Sequence, residues 1–212
     1  MCTNFTPTRK ADWVIHHFGV GLPAADYPLE AYPGFAAPLV VKSHQTGRVA
    51  CGLARFGLIP SWASDTKIGR HTYNARSETA AIKPSYRTAW RQRQYGIALV
   101  DNFFEPSYET GKAERWRIEA QDGEPFGIAC LWDRWTDPAS GEIVASFSML
   151  TINADEHPVM RRFHKDGDEK RTPVVLSSDQ YISWLDAMPE QAQVMMSWRQ
   201  MPELVSDVAP RS

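Results

Sequence analysis

Residues 48–59, RVACGLARFGLI, and residues 95–104, YGIALVDNFF, decide the fold class of this chain. Both stretches are short, rich in β-formers and bounded by turn or polar residues, which is how strands read in a sequence. RWRIEA (115–120), FGIACLW (126–132), FSMLTI (147–152) and TPVVL (172–176) have the same character. Helical signals are fewer. Ser177 and Gln180 have capping-box spacing ahead of Tyr181, Ile182 and Leu185, and Pro189 opens EQAQVMMSWRQ where a first helical turn suits it. ARSETAAI (75–82) and PSYRTAWRQRQ (84–94) read as shorter helical pieces around Pro84. Strands mixed irregularly with helices predict an α+β fold, a mainly antiparallel, β-rich single domain with flanking helices. At 212 residues the expectation is one domain over 2–200, with MPELVSDVAPRS (201–212) as a flexible tail.

Composition narrows the function classes. Hydrophobic residues at 43% and charged residues at 23% suit an ordinary globule with a core. No apolar run nears the roughly 20 residues that span a membrane, and MCTNFTPTRKAD has no signal-peptide core. The expectation is a cytoplasmic protein, and no membrane partner. Cys2, Cys51 and Cys130 are scattered without a C-x-x-C pair, and the six histidines form no H-E-x-x-H. Neither a disulfide framework nor a metal or other cofactor is expected, and Cys51 and Cys130 read as buried and inert.

The net charge of −2 hides an uneven distribution. Lys67, Arg70, Arg76, Lys83, Arg87, Arg91 and Arg93 face Glu78 alone, with Trp62, Tyr73, Tyr86 and Trp90 interleaved. Cations mixed with aromatics suit a single nucleic-acid strand, although a solvated helix face has the same composition. Arg161, Arg162, Lys165, Lys170 and Arg171 form a second cluster, diluted by Asp166, Asp168 and Glu169.

Four segments carry reactive groups among apolar neighbours. The chain opens MCTNF, and loss of Met1 would leave Cys2 with an amine and a thiol on adjacent carbons. Such an aminothiol captures an aldehyde as an imine, which sulfur closes to a thiazolidine; a frayed terminus is the plain alternative. In YNARSET, Asn74 offers an orienting amide and Arg76 a phosphate clamp, or the segment is a helix cap with a charged first turn. Glu105 follows two phenylalanines in DNFFEP; apolar rings raise a carboxyl pKa, though a surface glutamate at a strand end reads the same way. His164 lies in the basic stretch RRFHKDGDEKRTP and titrates near neutrality, in a setting equally suited to an exposed loop.

Taken in order, MC, GLIPSWA, YNARSET, FFEP, LTINADEHPVMRRFH and KRTPVVL resemble the SRAP family, the SOS-response-associated peptidase or abasic-site-processing proteins. The resemblance runs from Cys2 to about Asp186, and YNARSET is its most specific element. It implies a β-rich domain with a shallow basic groove for single-stranded DNA, acting in the DNA-damage response and nucleoid-associated during repair. By the same resemblance Cys2 attacks the aldehyde of an abasic site, protecting the lesion, with Asn74 as orienting amide, Glu105 as acid or base and His164 as proton shuttle. Trp62, Arg76 and Arg87 match positions that face DNA, and the protein is expected to be a monomer. Arg76 is also expected to encourage the thiolate of Cys2. The chain departs from the family pattern at Thr3 and Asn4, where Gly-Arg is usual. It departs again at Asn102 and Pro106 around the glutamate, and in the KDGDEK interval before Arg171. Two other readings stand beside this one: a cysteine peptidase, general or confined to Met1, with Cys2 as nucleophile and His164 as base, and a non-covalent nucleic-acid-binding module.

Overall fold

The structure is a computed structural model and describes residues 2–165 and 167–210. Its strands are β1 (Asn4–Pro7), β2 (Ala36–Lys42), β3 (Val49–Phe56), β4 (Asn74–Arg76), β5 (Tyr95–Ser107), β6 (Glu114–Ala120), β7 (Phe126–Thr136), β8 (Ile143–Asn153), β9 (Arg171–Pro173), β10 (Val175–Leu176) and β11 (Leu204–Val208). The helices are α1 (Ala11–Phe18), α2 (Ser77–Ala80), α3 (Arg87–Arg91), α4 (Tyr181–Asp186) and α5 (Pro189–Met195). A single β-rich domain with a few flanking helices results, as the sequence led us to expect.

The pairing β5–β7–β8–β3–β2–β5 returns to its starting strand, so these strands close into a barrel. Closure removes the sheet edges that would otherwise leave backbone groups unpaired. Most pairings are antiparallel; β3 and β4 run parallel to β8. Alternation then explains the apolar runs. Ala98, Val100, Ile128, Cys130, Phe147 and Met149 belong to one core cluster, which also holds Phe5 and Phe56. Their neighbours Ile97, Leu99, Ala129, Leu131 and Leu150 pack in a second cluster with Val14, Phe18, Trp90, Tyr181 and Trp184 from the helices. A strand buried on both faces loses its polar positions, and so reads as a continuous apolar segment.

The long strand β5 positions the reactive residues. Residues 95–100 lie in the barrel against β7, whereas Phe103–Ser107 run on past it to pair with β6. β1 lies along the outer part of β5, with Asn4 opposite Phe104 and Phe5 opposite Phe103. That register carries Cys2 toward Glu105.

The capping box is present: Ser177 N–H donates to Gln180 Oε1 at 3.1 Å, and Pro189 stands at the start of α5. β1, β2, β4 and α1 had no signal of their own type, and the helical reading of 75–82 holds only for Ser77–Ala80. β2 contains Pro38, which reads against a strand. α1 is eight residues long and buries Val14 and Phe18 alone, too few for a clear period; Gly19, at φ 68, stops it by donating to the Ile15 carbonyl at 2.9 Å. The tail requires a correction. Leu204–Val208, expected to be flexible, pair with β6 as β11, and Leu204 is buried. A five-residue strand with Leu204 alone buried satisfies its backbone on an existing edge, which needs no long hydrophobic run. Arg211 and Ser212 lie outside the described residues.

Candidate active site

Cys2, Asn74, Glu105 and His164 converge at the outer end of β5. Cys2 is fully buried, not frayed, and its thiol donates to the Asn4 carbonyl at 3.4 Å. Asn74 arrives from β4, across the fold, and its Nδ2 donates to the Cys2 carbonyl at 2.7 Å. Asn74 sits in a strand and caps no helix; its own carbonyl accepts from the Tyr86 hydroxyl at 3.0 Å. Tyr86 thereby ties the start of α3 to the site, a role its sequence context signalled only as one aromatic among several.

The Glu105 side chain has no exposed surface, and burial pushes its carboxyl up to about 7. His164 Nε2 lies 3.5 Å from Glu105 Oε2. Burial lowers the imidazole to about 4, so His164 is neutral at pH 7 and the contact is not a standing ion pair. Glu105 alone holds the shared proton between those values. His164 adopts φ 71, a left-handed conformation that a non-glycine residue takes at a cost of about 1 kcal/mol or more. Its N–H donates to the Pro106 carbonyl at 3.1 Å, and Lys170 Nζ donates to its carbonyl at 3.0 Å. These bonds hold the imidazole against Glu105.

Arg76 does not act on sulfur as expected. Burial, with the Glu105 charge beside it, pushes the Cys2 thiol up rather than toward thiolate. Arg76 is half-exposed, and its Nη1 pairs with Glu169 Oε2 at 2.6 Å. Cys130 is buried as read, and Cys51 is half-buried; burial pushes the Cys51 thiol up to about 12.

The departures at Asn4, Asn102 and Pro106 each have local work. The Asn4 amide donates to Glu30 Oε2 at 3.0 Å, and Arg115 Nη2 meets Glu30 Oε1 at 2.5 Å while lying over the Phe104 ring. Asn102 accepts from the Thr6 hydroxyl at 2.9 Å, joining β1 to β5. Pro106 needs only its carbonyl, which receives the His164 N–H. A cleft of about 350 Å³ lined by Thr3, Asn4, Phe104, Glu105, Pro106 and Arg115 opens here.

Trp62 is tied to the turn that leads into α3, whose first residue is Arg87. Trp62 is 57% exposed, and its indole N–H donates to the Pro84 carbonyl at 3.3 Å, three residues before Arg87 at the start of α3. The loop beneath Trp62 is braced where Gly57, at φ +115, meets the Gly69 backbone with no room for a Cβ. The second basic cluster is mostly engaged elsewhere. Arg162 pairs with Glu109 through two bonds of 3.0 and 2.9 Å and lies over Trp116. Arg171 is 2% exposed and works inside the fold. Among the described residues, no three His, Cys, Asp or Glu side chains group as metal ligands, and no helix is long and apolar enough to cross a membrane.

A larger cleft of about 430 Å³ lies elsewhere, between α1, α4 and the turn after β6, lined by Trp13, His17, Asp122 and Tyr181. It holds none of the sequence-predicted residues.

Comparison with known proteins bears on this corner. The profile of the SOS response associated peptidase (SRAP) family matches residues 1–209. The abasic site processing protein YoqW of Bacillus subtilis (strain 168) is 29% identical over 191 residues, covering 88% of this chain and 80% of that protein. The abasic site processing protein HMCES of Xenopus tropicalis is 28% identical over 153 residues, 62% of this chain and 44% of that protein. A crystal structure of a Bordetella bronchiseptica protein superimposes with a TM-score of 0.87 at 31% identity, over 99% of this chain and 100% of the other. A Bacteroides thetaiotaomicron protein shares the fold, with a TM-score of 0.80 at 22% identity over 99% and 92% of the chains.

Proposed function

Because this chain belongs to the SOS response associated peptidase (SRAP) family, we propose that it processes abasic sites in single-stranded DNA by linking them covalently to Cys2. The observation that carries this reading is the convergence of an N-terminal cysteine, an amide on its carbonyl and a buried acid–base pair.

The chemistry starts with removal of Met1, which lies outside the described residues, and frees the Cys2 amine. An α-amine has a pKa of about 7.7–8.0, so part of it is neutral near pH 7. The Asn74 amide on the Cys2 carbonyl fixes the direction of that amine. An abasic deoxyribose is mostly a closed hemiacetal, and a proton must move before its aldehyde appears; Glu105 performs that transfer. The amine then adds to the aldehyde carbon, and Glu105, as the acid, protonates the departing hydroxyl so that water leaves and an imine remains. The Cys2 thiol adds to the imine carbon and closes the thiazolidine. Its proton passes to the Glu105 carboxylate, which restores the acid. A carboxyl near 7 suits both halves of this cycle, and a thiol held protonated by burial requires a base at the moment of attack. Neutral His164, 3.5 Å from Glu105, relays protons to and from the sugar oxygen.

The same features speak against the peptidase reading. A cysteine protease needs a thiolate next to a basic imidazole, and here burial acts against both. The test is denaturing electrophoresis after mixing the protein with an abasic oligonucleotide, then mass spectrometry of the digested product. We expect a slow-migrating adduct with the sugar remnant on Cys2, absent from Cys2→Ala and from a protein extended before Cys2. Full-rate adduct in either variant overturns the thiazolidine. Peptide turnover without adduct selects the peptidase, and salt-sensitive binding without either selects a binding module.

A further inference from the structure

Arg76 and Arg171 converge on one carboxylate. Glu169 Oε2 lies 2.6 Å from Arg76 Nη1, and Glu169 Oε1 lies 2.5 Å from Arg171 Nη1. The two arginines depend on it differently. Arg171 is 2% exposed and has other partners: the Glu78 carboxylate at 2.9 Å, the Thr151 carbonyl at 2.7 Å and the Thr151 hydroxyl at 3.2 Å. Glu78 therefore neutralises it without help. Arg76 is 50% exposed at its side chain and has Glu169 as its ion-pair partner among the described residues. Glu169 in turn keeps 36% of its side chain exposed, so a rotation about its own side-chain bonds takes it into water.

Location gives this arrangement a consequence. Arg76 stands two residues beyond Asn74 on β4, about 6–7 Å along the strand from the amide that holds Cys2. Arg76 and Arg171 balance Glu78 and Glu169, so these four side chains carry no net charge while Glu169 stays in place. Once Glu169 turns away, Arg171 and Glu78 still cancel, and Arg76 offers one unopposed guanidinium toward the site. The geometry points to Glu169 as a resident competitor for the phosphodiester that would otherwise pair with Arg76, a residue that sets how tightly single-stranded DNA is held. This rests on the reading that a DNA strand lies along this face. Glu169 occupies the KDGDEK interval, so the segment that departs from the family pattern supplies the competing anion.

Equilibrium binding of an undamaged oligothymidylate to the mature protein, across a salt series, tests the inference apart from adduct chemistry. An exposed ion pair contributes about 0.2–1 kcal/mol, so Glu169→Gln should bind about 1.4- to fivefold tighter at low salt. In an Arg76→Gln background the same change should give little or no gain, because the arginine it frees is missing. Asp168→Asn removes the same charge from the same segment, and Asp168 forms no ion pair among the described residues; it should give a clearly smaller gain. Glu169→Ser is a second variant, should Glu169→Gln lower the melting temperature. Equal gains from Asp168→Asn and Glu169→Gln, or an undiminished gain without Arg76, overturn the inference. Adduct formation with abasic DNA is read in parallel. If adducts form but Glu169 has no effect, this inference fails and the functional reading stands. If the Arg76-dependent gain appears without adducts, the reverse holds.

Discussion

Two buried charged clusters in this protein are treated in opposite ways. Around Arg171, opposite charges meet: Glu78 takes two guanidinium nitrogens, Glu169 a third contact, and Thr151 supplies both its carbonyl and its hydroxyl. Around Glu105, burial drives two titratable groups toward neutrality, with the carboxyl raised to about 7 and the imidazole lowered to about 4. A satisfied ion network resists change and holds β9 and α2 together. A pair whose pKa values burial has shifted can exchange a proton near neutral pH, which is what acid–base chemistry requires. Burial alone does not separate structure from chemistry; the fate of the charge does.

That contrast yields measurable consequences. The largest concerns Arg171. Replacing it with Met leaves Glu78 without its ion-pair partner, reduces Glu169 to its contact with Arg76 and takes a donor from the buried Thr151 carbonyl, at a cost of about 1–3 kcal/mol, so thermal denaturation should shift down by about 5 °C. Adduct formation well below that transition should stay near the parent rate. A variant that melts normally but cannot couple would make Arg171 part of the chemistry and erase the distinction.

Next comes Glu105→Gln, which keeps size and hydrogen bonding without the titration. Acid–base assistance contributes about 10²–10⁴-fold, and because an abasic aldehyde also opens spontaneously we expect a loss of about 10²-fold or less in single-turnover coupling. Stability should respond with a definite sign. The raised Glu105 pKa means that stability is present at low pH and is lost as pH rises from about 4.5 to about 7. Glu105→Gln removes that loss, so its melting temperature relative to the parent should be higher at pH 8 than at pH 5. The lowered His164 pKa acts oppositely, and its contribution is lost as pH falls from 6.5 to about 4. Equal differences at both pH values would mean that Glu105 is not held neutral by burial.

His164→Ala should slow both coupling and release of preformed adduct, the latter followed by a chase with excess unlabelled abasic DNA. Parent rates in both directions would leave Glu105 without a relay. The smallest effects belong to the exposed corner. Trp62→Ala should weaken single-strand binding by about 1–3 kcal/mol with little change in salt dependence, because stacking releases few counterions. Arg87→Gln should lower the log–log salt slope by about 0.7, the share of one phosphate contact. An unchanged slope would move the DNA path away from α3.

The sequence by itself determined the fold class and the residue types of the candidate site. Strands buried on both faces, such as β5 and β7, advertise themselves as apolar runs, and the Ser177–Gln180 capping box is a local feature read from local spacing. The motif order also placed Cys2, Asn74, Glu105 and His164 on a short list. Tertiary structure decided what lies far apart in the chain. Barrel closure, the addition of β11 to β6 and the landing of Asn74 on Cys2 depend on pairings between segments that share no local signal. The state of each charge was decided there too. Glu78, Glu105 and Glu169 are the same residue type, yet one neutralises a buried arginine, one is driven toward neutrality, and one occupies Arg76. A carboxyl's role follows from the dielectric and the charges around it, and folding alone assembles those surroundings.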